Sequence, residues 1–294
     1  MANELNIRLK ERLARRDGLL VPGAPNALAA RIIADIGFEA IYVTGAGVTN
    51  MYLGDPDLGL ITLNEIADHV GAMRDAVDLP LIVDADTGFG NPINVRRTVK
   101  VLERAGANAI QLEDQNFPKK CGHFAGKDVI DTNEMVQKIH AAVDARQDQN
   151  LLIVARTDAR AVLGLDAAIE RAQAFIEAGA DVTFVEAPRT VEEMAAIPQR
   201  LAVPQIVNLV AGGLTPMLGQ DELRRMGFAF ILYANAALQA AIHGMQDVLR
   251  HLHDHGSLDA TFDKVATFTE RQRLVAKPFY DALEKKYVTN KTRS

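Results

Sequence analysis

Strand and helix alternate eight times along this chain, and the sequence predicts a closed (β/α)8 barrel of the TIM type. Three observations predict it. Gly37-Phe38-Glu39-Ala40, Gly106-Ala107-Asn108-Ala109, Gly179-Ala180-Asp181-Val182 and Gly227-Phe228-Ala229-Phe230 each close an amphipathic segment and open an apolar run. Glycine is favoured just past a helix end, so each run is the next strand. Strict alternation of the two element types gives a parallel sheet covered by helices. The length, 294 residues, suits one barrel of about 250 residues with some chain to spare. An open doubly wound sheet is the alternative, but no Gly-x-Gly-x-x-Gly turn follows the first strand.

Taken in order, the strands are expected at Leu19–Val21, Ala40–Val43, Leu81–Val83 and Ala109–Leu112. The later four are Leu151–Ala155, Val182–Val185, Gln205–Asn208 and Phe228–Tyr233. Asn91–Ala105 and Leu165–Ala178 read as helices, because their apolar residues recur at three- and four-residue spacing. Three connections are long: Gly45–Ile61, Gln115–Thr132 and Val210–Gln220. All would lie on the C-terminal face, where long loops are commonly functional. Past the eighth strand, Ala236–His253 makes a helix, and Thr261–Tyr287 looks helical with a break near Lys277-Pro278. The domain expectation is one barrel over 1–294, with a core at about 19–255 and extra C-terminal helices over about 257–294. That surplus tail suits packing against another subunit.

Composition excludes several classes of function. Hydrophobic residues at 48% supply a large core, and a net charge of −6 without a basic, aromatic-studded run argues against nucleic acid. Apolar runs are too short to span a bilayer. Met1–Gly18 alternates charges and lacks a signal-peptide core. A single cysteine rules out an internal disulfide and fits a reducing compartment, so a cytoplasmic protein is expected.

Polar residues collect at the predicted strand ends: Tyr42-Val43-Thr44-Gly45-Ala46-Gly47, Asp84 and Asp86, Glu113-Asp114, Arg156-Thr157-Asp158, Glu186 and Asn208. Asp84 and Asp86 would share a face if the strand ran that far. Two adjacent acids repel unless a cation lies between them, and a hard divalent ion with oxygen ligands answers that. Arg156 can grip a carboxylate in a two-point fork. The small residues Gly45, Ala46 and Gly47 let backbone N–H groups approach a second anionic oxygen. Asp114, Thr157 and Asp158 read as caps or buried ion pairs. The loop Lys119-Lys120-Cys121-Gly122-His123 holds the cysteine among groups that would steady a thiolate. His251 and His255 share a helix face but lack a third ligand, so they read as helix-end residues, and Met217, Met226 and Met245 read as core filling.

Lys119-Lys120-Cys121-Gly122-His123, with Val83-Asp84-Ala85-Asp86-Thr87-Gly88 and Gly54-Asp55-Pro56-Asp57-Leu58-Gly59, resembles the isocitrate lyase/phosphoenolpyruvate mutase superfamily. Within it the chain is most similar to the 2-methylisocitrate lyase and 2,3-dimethylmalate lyase branch. The resemblance implies Mg2+, with Mn2+ a possible substitute, on Asp84 and Asp86, partly through water, with Glu113 and Asp57 outside them. It implies substrate contacts from Tyr42, Thr44, Gly45, Ala46, Cys121, Gly122, Arg156, Glu186 and Asn208, with Arg271 as a further candidate. It also implies exchange of the last barrel helix between subunits, and a homotetramer.

The expected reaction is cleavage of a 2-hydroxy di- or tricarboxylate to pyruvate or another 2-oxo acid plus a carboxylate. Cys121 would protonate the resulting enolate, with Lys119, Lys120 and His123 steadying the thiolate. Two departures from the family pattern matter: Ala211 stands where such lyases commonly carry a glutamate, and Gln239 where the tricarboxylate lyases carry an arginine. A malate-like substrate is therefore expected ahead of methylisocitrate. The first departure leaves the base for the hydroxyl proton open between Tyr42 and a metal-bound water. Alternatives are oxaloacetate hydrolysis or decarboxylation, phosphonomutase chemistry, and a non-catalytic dicarboxylate-binding barrel.

Overall fold

In a computed structural model that describes residues 2–120, 122 and 126–288, eight parallel strands close in sequence order into a barrel. They are β1 (Leu19–Ala24), β2 (Ile41–Val43), β3 (Leu81–Asp84), β4 (Ala109–Glu113), β5 (Leu152–Thr157), β6 (Val182–Val185), β7 (Gln205–Asn208) and β8 (Phe230–Tyr233). Closure is made by β1 against β8, with Leu19 opposite Phe230 and Pro22 opposite Tyr233. Each predicted strand is present, within two residues at the N-terminal end and three at the C-terminal end.

Around the strands lie α1 (Ala2–Ala14), α2 (Ala27–Ile36), α3 (Gly45–Tyr52), α4 (Leu63–Ala76), α5 (Pro92–Ala105), α6 (Thr132–Ala145) and α7 (Ala159–Leu163). These are followed by α8 (Leu165–Glu177), α9 (Val191–Arg200), α10 (Gln220–Met226) and α11 (Ala236–His255). Gly37, Gly106 and Gly227 end their helices in the left-handed conformation, at φ 99°, 108° and 100°. This is the role that the repeat assigned them.

Strand alternation sorts the side chains. One set points outward beneath the helices: Ile41, Val43, Leu81, Val83, Ile110, Leu112 and Ile153. The other fills the barrel: Val21, Tyr42, Ile82, Leu152, Val154, Phe184, Ile206, Phe230 and Leu232. Two residues beyond the inward Ile82, Gln111, Val154, Phe184 and Ile206 come Asp84, Glu113, Arg156, Glu186 and Asn208. The period of two therefore delivers the polar residues to one rim. At the opposite end α1 acts as a stopper. Leu9 and Leu13 join the interior cluster, while Asn6 donates to Asp148 at 2.8 Å and accepts from Asn108 at 2.6 Å.

The connection Gly45–Ile61, expected as a loop throughout, contains α3. Its small and β-branched residues carry little helix propensity, and burial of Val48 and Thr49 against the barrel supplies the stability instead. The chain divides into two compact units, one up to Leu238 and one from Gln239 onward, so the division falls inside α11. The second unit continues through a 3-10 turn (Asp259–Lys264), α12 (Phe268–Leu274) and α13 (Lys277–Tyr287). Two methionines are not core filling: Met217, on the β7–α10 connection, and Met245, on an apolar stripe of α11, are both about half exposed.

Candidate active site

The carboxylates of Asp84 and Asp86 converge, though not by strand alternation. β3 stops at Asp84, and the backbone turns through a left-handed conformation at Asp86, with φ 48°. A non-glycine residue held there stores strain, as is common where a site needs one geometry. The Asp86 amide donates to Asp84 Oδ1 at 3.1 Å, as does Gln111 Nε2 at 3.3 Å, and Gln111 in turn accepts from the Tyr42 hydroxyl at 2.9 Å. Both carboxylates face Gly45, where a methyl group would lie 3.1 Å from Asp84 Oδ2 and 3.2 Å from Asp86 Oδ1.

Thr44 caps α3 by accepting from the Gly47 amide at 3.1 Å. The amides of Gly45 and Ala46 thus belong to the first turn of a helix, the end at which a helix dipole attracts anions. Thr44 and Ala46 line the cleft together with Tyr42, Asp84, Glu113 and Arg156.

Lys119 is almost fully buried, and its ammonium pairs with Asp57 and, at 2.7 Å, with Asp86. Burial pulls the ammonium down, but Asp86, Glu113 and Asp57 together raise it well above its ordinary value, so it stays charged. The sequence reading gave this residue to the cysteine thiolate; its described partners are the acids. Lys120 donates instead to the Gly126 carbonyl at 2.7 Å. Cys121 and His123 lie outside the described residues.

Arg156 is held within the rim: its Nε and Nη2 donate to Asp158 at 2.9 and 3.1 Å, which occupies the side edge of the guanidinium and leaves its Nη1–Nη2 end for a carboxylate. Nη1 lies 3.4 Å from Glu113 Oε2, with Glu186 3.7 Å from Nε and the Phe184 ring beneath the guanidinium. Asp158 also accepts from Lys127 at 2.7 Å. Asp114 bonds Thr157, the Asp158 amide and Arg171, which is the buried network expected of Asp114, Thr157 and Asp158.

Burial first, and the Asp84 charge second, raise the Tyr42 phenol well above its ordinary value, and its hydroxyl donates to Gln111. Glu113 is likewise raised well above its ordinary value by burial, against the pull of Arg156 and Lys119. Asp86 is pushed up to about 7 by burial, against Lys119, with Asp84 and Asp57 adding to the rise.

Among the described residues no three His, Cys, Asp or Glu side chains are placed to hold a metal by themselves. Two converging carboxylates with water and substrate oxygens are nevertheless the usual setting for Mg2+. The buried Glu113 Oε1, which accepts no hydrogen bond from a described residue, adds an acceptor for a bound water. The donor set fits.

Arg271 lies on α12 in the second unit, its guanidinium 5.1 Å from the Phe268 ring centre. His251 and His255 stack at 4.3 Å near the end of α11. Sequence reasoning missed Gln111, Lys127 and Asn235. The first two show only as partners in three dimensions. Asn235 follows an inward-facing alanine, so the alternation points away from it.

A model of the phosphoenolpyruvate phosphomutase family matches residues 9–253. The 2,3-dimethylmalate lyase of Eubacterium barkeri is 40% identical over 97% of this chain and 98% of its own length. The chain belongs to the isocitrate lyase/phosphoenolpyruvate mutase superfamily. The 2-methylisocitrate lyase of Aeropyrum pernix is 45% identical over 93% of this chain and 88% of its own, and with these relatives the chain stands among the carbon–carbon lyases. A crystal structure of phosphonopyruvate hydrolase in complex with oxalate and Mg++ superposes with a TM-score of 0.87 at 28% identity, covering 97% of this chain and 99% of that one.

Two outcomes follow from this geometry. Asp86 holds its proton more tightly folded than unfolded, so its contribution to stability is full in acid and is lost as pH rises through about 7. Metal-free protein in EDTA should therefore lose urea resistance between about pH 4 and pH 7 and level off above that, and Asp86→Asn should flatten that slope; a flat wild-type profile contradicts the account. Gly122 lets the loop backbone seat on the site, because a methyl there would lie 2.5 Å from Arg156 Nη2 and 2.7 Å from Glu186 Cδ. Gly122→Ala should lower lyase kcat/KM by about 100-fold while the urea midpoint stays put.

Proposed function

We propose that this protein is a Mg2+-dependent lyase that breaks the C2–C3 bond of a 2-hydroxy dicarboxylate, giving a 2-oxo acid and a carboxylate. The observation that carries the reading is the gathering of Asp84, Asp86, Arg156 and the first turn of α3 on one rim, with Gly122 folded onto it. Asp84 and Asp86 would hold the ion, with Glu113 and Asp57 outside them, and Mn2+ shares the same preference for hard oxygen ligands. When bound, the ion supplies positive charge against the oxygens of the hydroxy acid and eases loss of the hydroxyl proton. The relative holding oxalate and Mg++ supports that assignment.

The chain's own groups do the rest. Nη1 of Arg156 and the amides of Gly45 and Ala46 orient the substrate's carboxylates; Glu186 and Asn208 stand beside them. Lys119 keeps Asp57 and Asp86 paired, and Tyr42 fixes Gln111, which fixes Asp84. Breaking C2–C3 leaves the electron pair on the carbon next to the departing carboxylate. Cys121 is the proposed proton donor to that carbon, with His123 steadying the thiolate. A malate-like diacid is placed ahead of methylisocitrate because Ala211 and Gln239 replace a glutamate and an arginine.

A second copy is proposed to complete the molecule, in the cytoplasm and as a homotetramer with exchanged helices. α2 exposes Leu28, Ile32 and Ile36 at four-residue spacing. α11, 20 residues long, buries Leu238 alone and exposes Ile242, Met245, Leu249 and Leu252. Unpartnered stripes of that length are covered in stable oligomers.

A panel of 2-hydroxy and 2-oxo diacids assayed with Mg2+ tests the reaction. Cys121→Ser should cut carbon–carbon cleavage by about 10^2- to 10^4-fold and spare simple oxaloacetate decarboxylation. Pyruvate released far faster from methylisocitrate than from any alkylmalate would overturn the preference. Native mass measurement should read four chains, and a monomer at micromolar concentration would end the helix-exchange reading.

A further inference from the structure

Asn235 stands immediately before α11, where an asparagine ordinarily caps the helix by accepting from the amides of its first turn. It does not do so here. Its Oδ1 is buried and accepts no hydrogen bond from a described residue. The side chain instead lines the cleft with Tyr42, Phe184, Asn208, Leu232 and Ala234. The backbone before it has little freedom, since a methyl on Gly23 would come within 1.9 Å of the Ala234 carbonyl oxygen. An amide oxygen fixed in this way, beside Phe184, Leu232 and Ala234 in the cleft, receives no hydrogen from a described residue. Such an acceptor is completed by water or by a ligand that brings the hydrogen, and this one borders the cleft that would take the substrate.

We propose that Asn235 is a specificity-determining residue that accepts a hydrogen bond from a hydroxyl on C3 of the substrate. The preferred class is then 3-hydroxylated, rather than 3-alkylated, 2-hydroxy diacids. The proposal rests on the lyase reading given above. A site built to bond a hydroxyl rejects the analogue that lacks it, because its own polar atom is left dry. A methyl on C3 would leave Asn235 in that condition.

Tartrate and 3-methylmalate, which differ by hydroxyl against methyl on C3, make the test. Binding is measured by calorimetry with MgCl2 in Cys121→Ser protein, so that turnover does not intrude. Tartrate should bind at least about tenfold more tightly. Asn235→Leu, close in volume and apolar, should reverse the preference, and Asn235→Ser, which keeps an acceptor, should retain part of it. A preference unmoved by Asn235→Leu, or a parent that favours 3-methylmalate, overturns the assignment. Cleavage by protein with Cys121 intact is scored separately. A binding preference with neither diacid cleaved removes the lyase reading and leaves Asn235 standing, whereas cleavage with an unmoved preference does the reverse.

Discussion

Asp57, Asp84, Asp86, Glu113, Asp158 and Glu186 share one buried rim on which Lys119, Lys127 and Arg156 are the described cations paired with them. The acids outnumber their partners in surroundings where each unbalanced charge is costly. Two remedies are available: some acids can hold their protons, as Asp86 and Glu113 do when their ordinary values are pushed upward, or a divalent cation can take the protons' place. On the proposed function the second remedy is the working one, since the charge excess that favours protons on the acids would equally favour a divalent ion.

The barrel makes this concentration tolerable. Inward positions lower in the strands carry Ile82, Val154, Ile206 and Phe230, and α1 seals the end beneath them. Polar residues gather at the last inward positions of the strands, with Gln111 one inward position below Glu113, where loops and helix α3 can supply N–H groups. The hydrophobic interior thus fixes the places from which the acids project, and the loops set their final directions. Asp86 shows the division of labour, since its direction comes from a strained turn rather than from β3.

Much of this was legible in the chain. The glycine repeat marks helix ends, apolar runs mark strands, and a polar residue closing each run marks the rim, so Asp84, Glu113, Arg156, Glu186 and Asn208 could be gathered before any coordinates. Helix α3 was hidden because its sequence has poor propensity and is stabilised by packing. The partner of Arg156 was hidden because Asp158 lies two residues on, where a strand end and a helix cap are equally plausible. Lys119 was read through its nearness in sequence to Cys121, which lies outside the described residues, and its pairing with acids from two other segments shows only in space. Asn235 drew no reading from the sequence, because an asparagine before a helix is common and its place in the cleft shows only in space.

Leu9 and Leu13 close the barrel beneath its interior, so among the described residues the cleft opens at the C-terminal rim. For a reaction that makes two molecules from one, entry and both exits share that opening. On the proposed reaction, a fragment seated nearer the mouth would depart before a deeper one. Water, too, would reach the reacting carbon by that way, and whatever covers the opening during cleavage governs hydrolytic side reactions and departure order together.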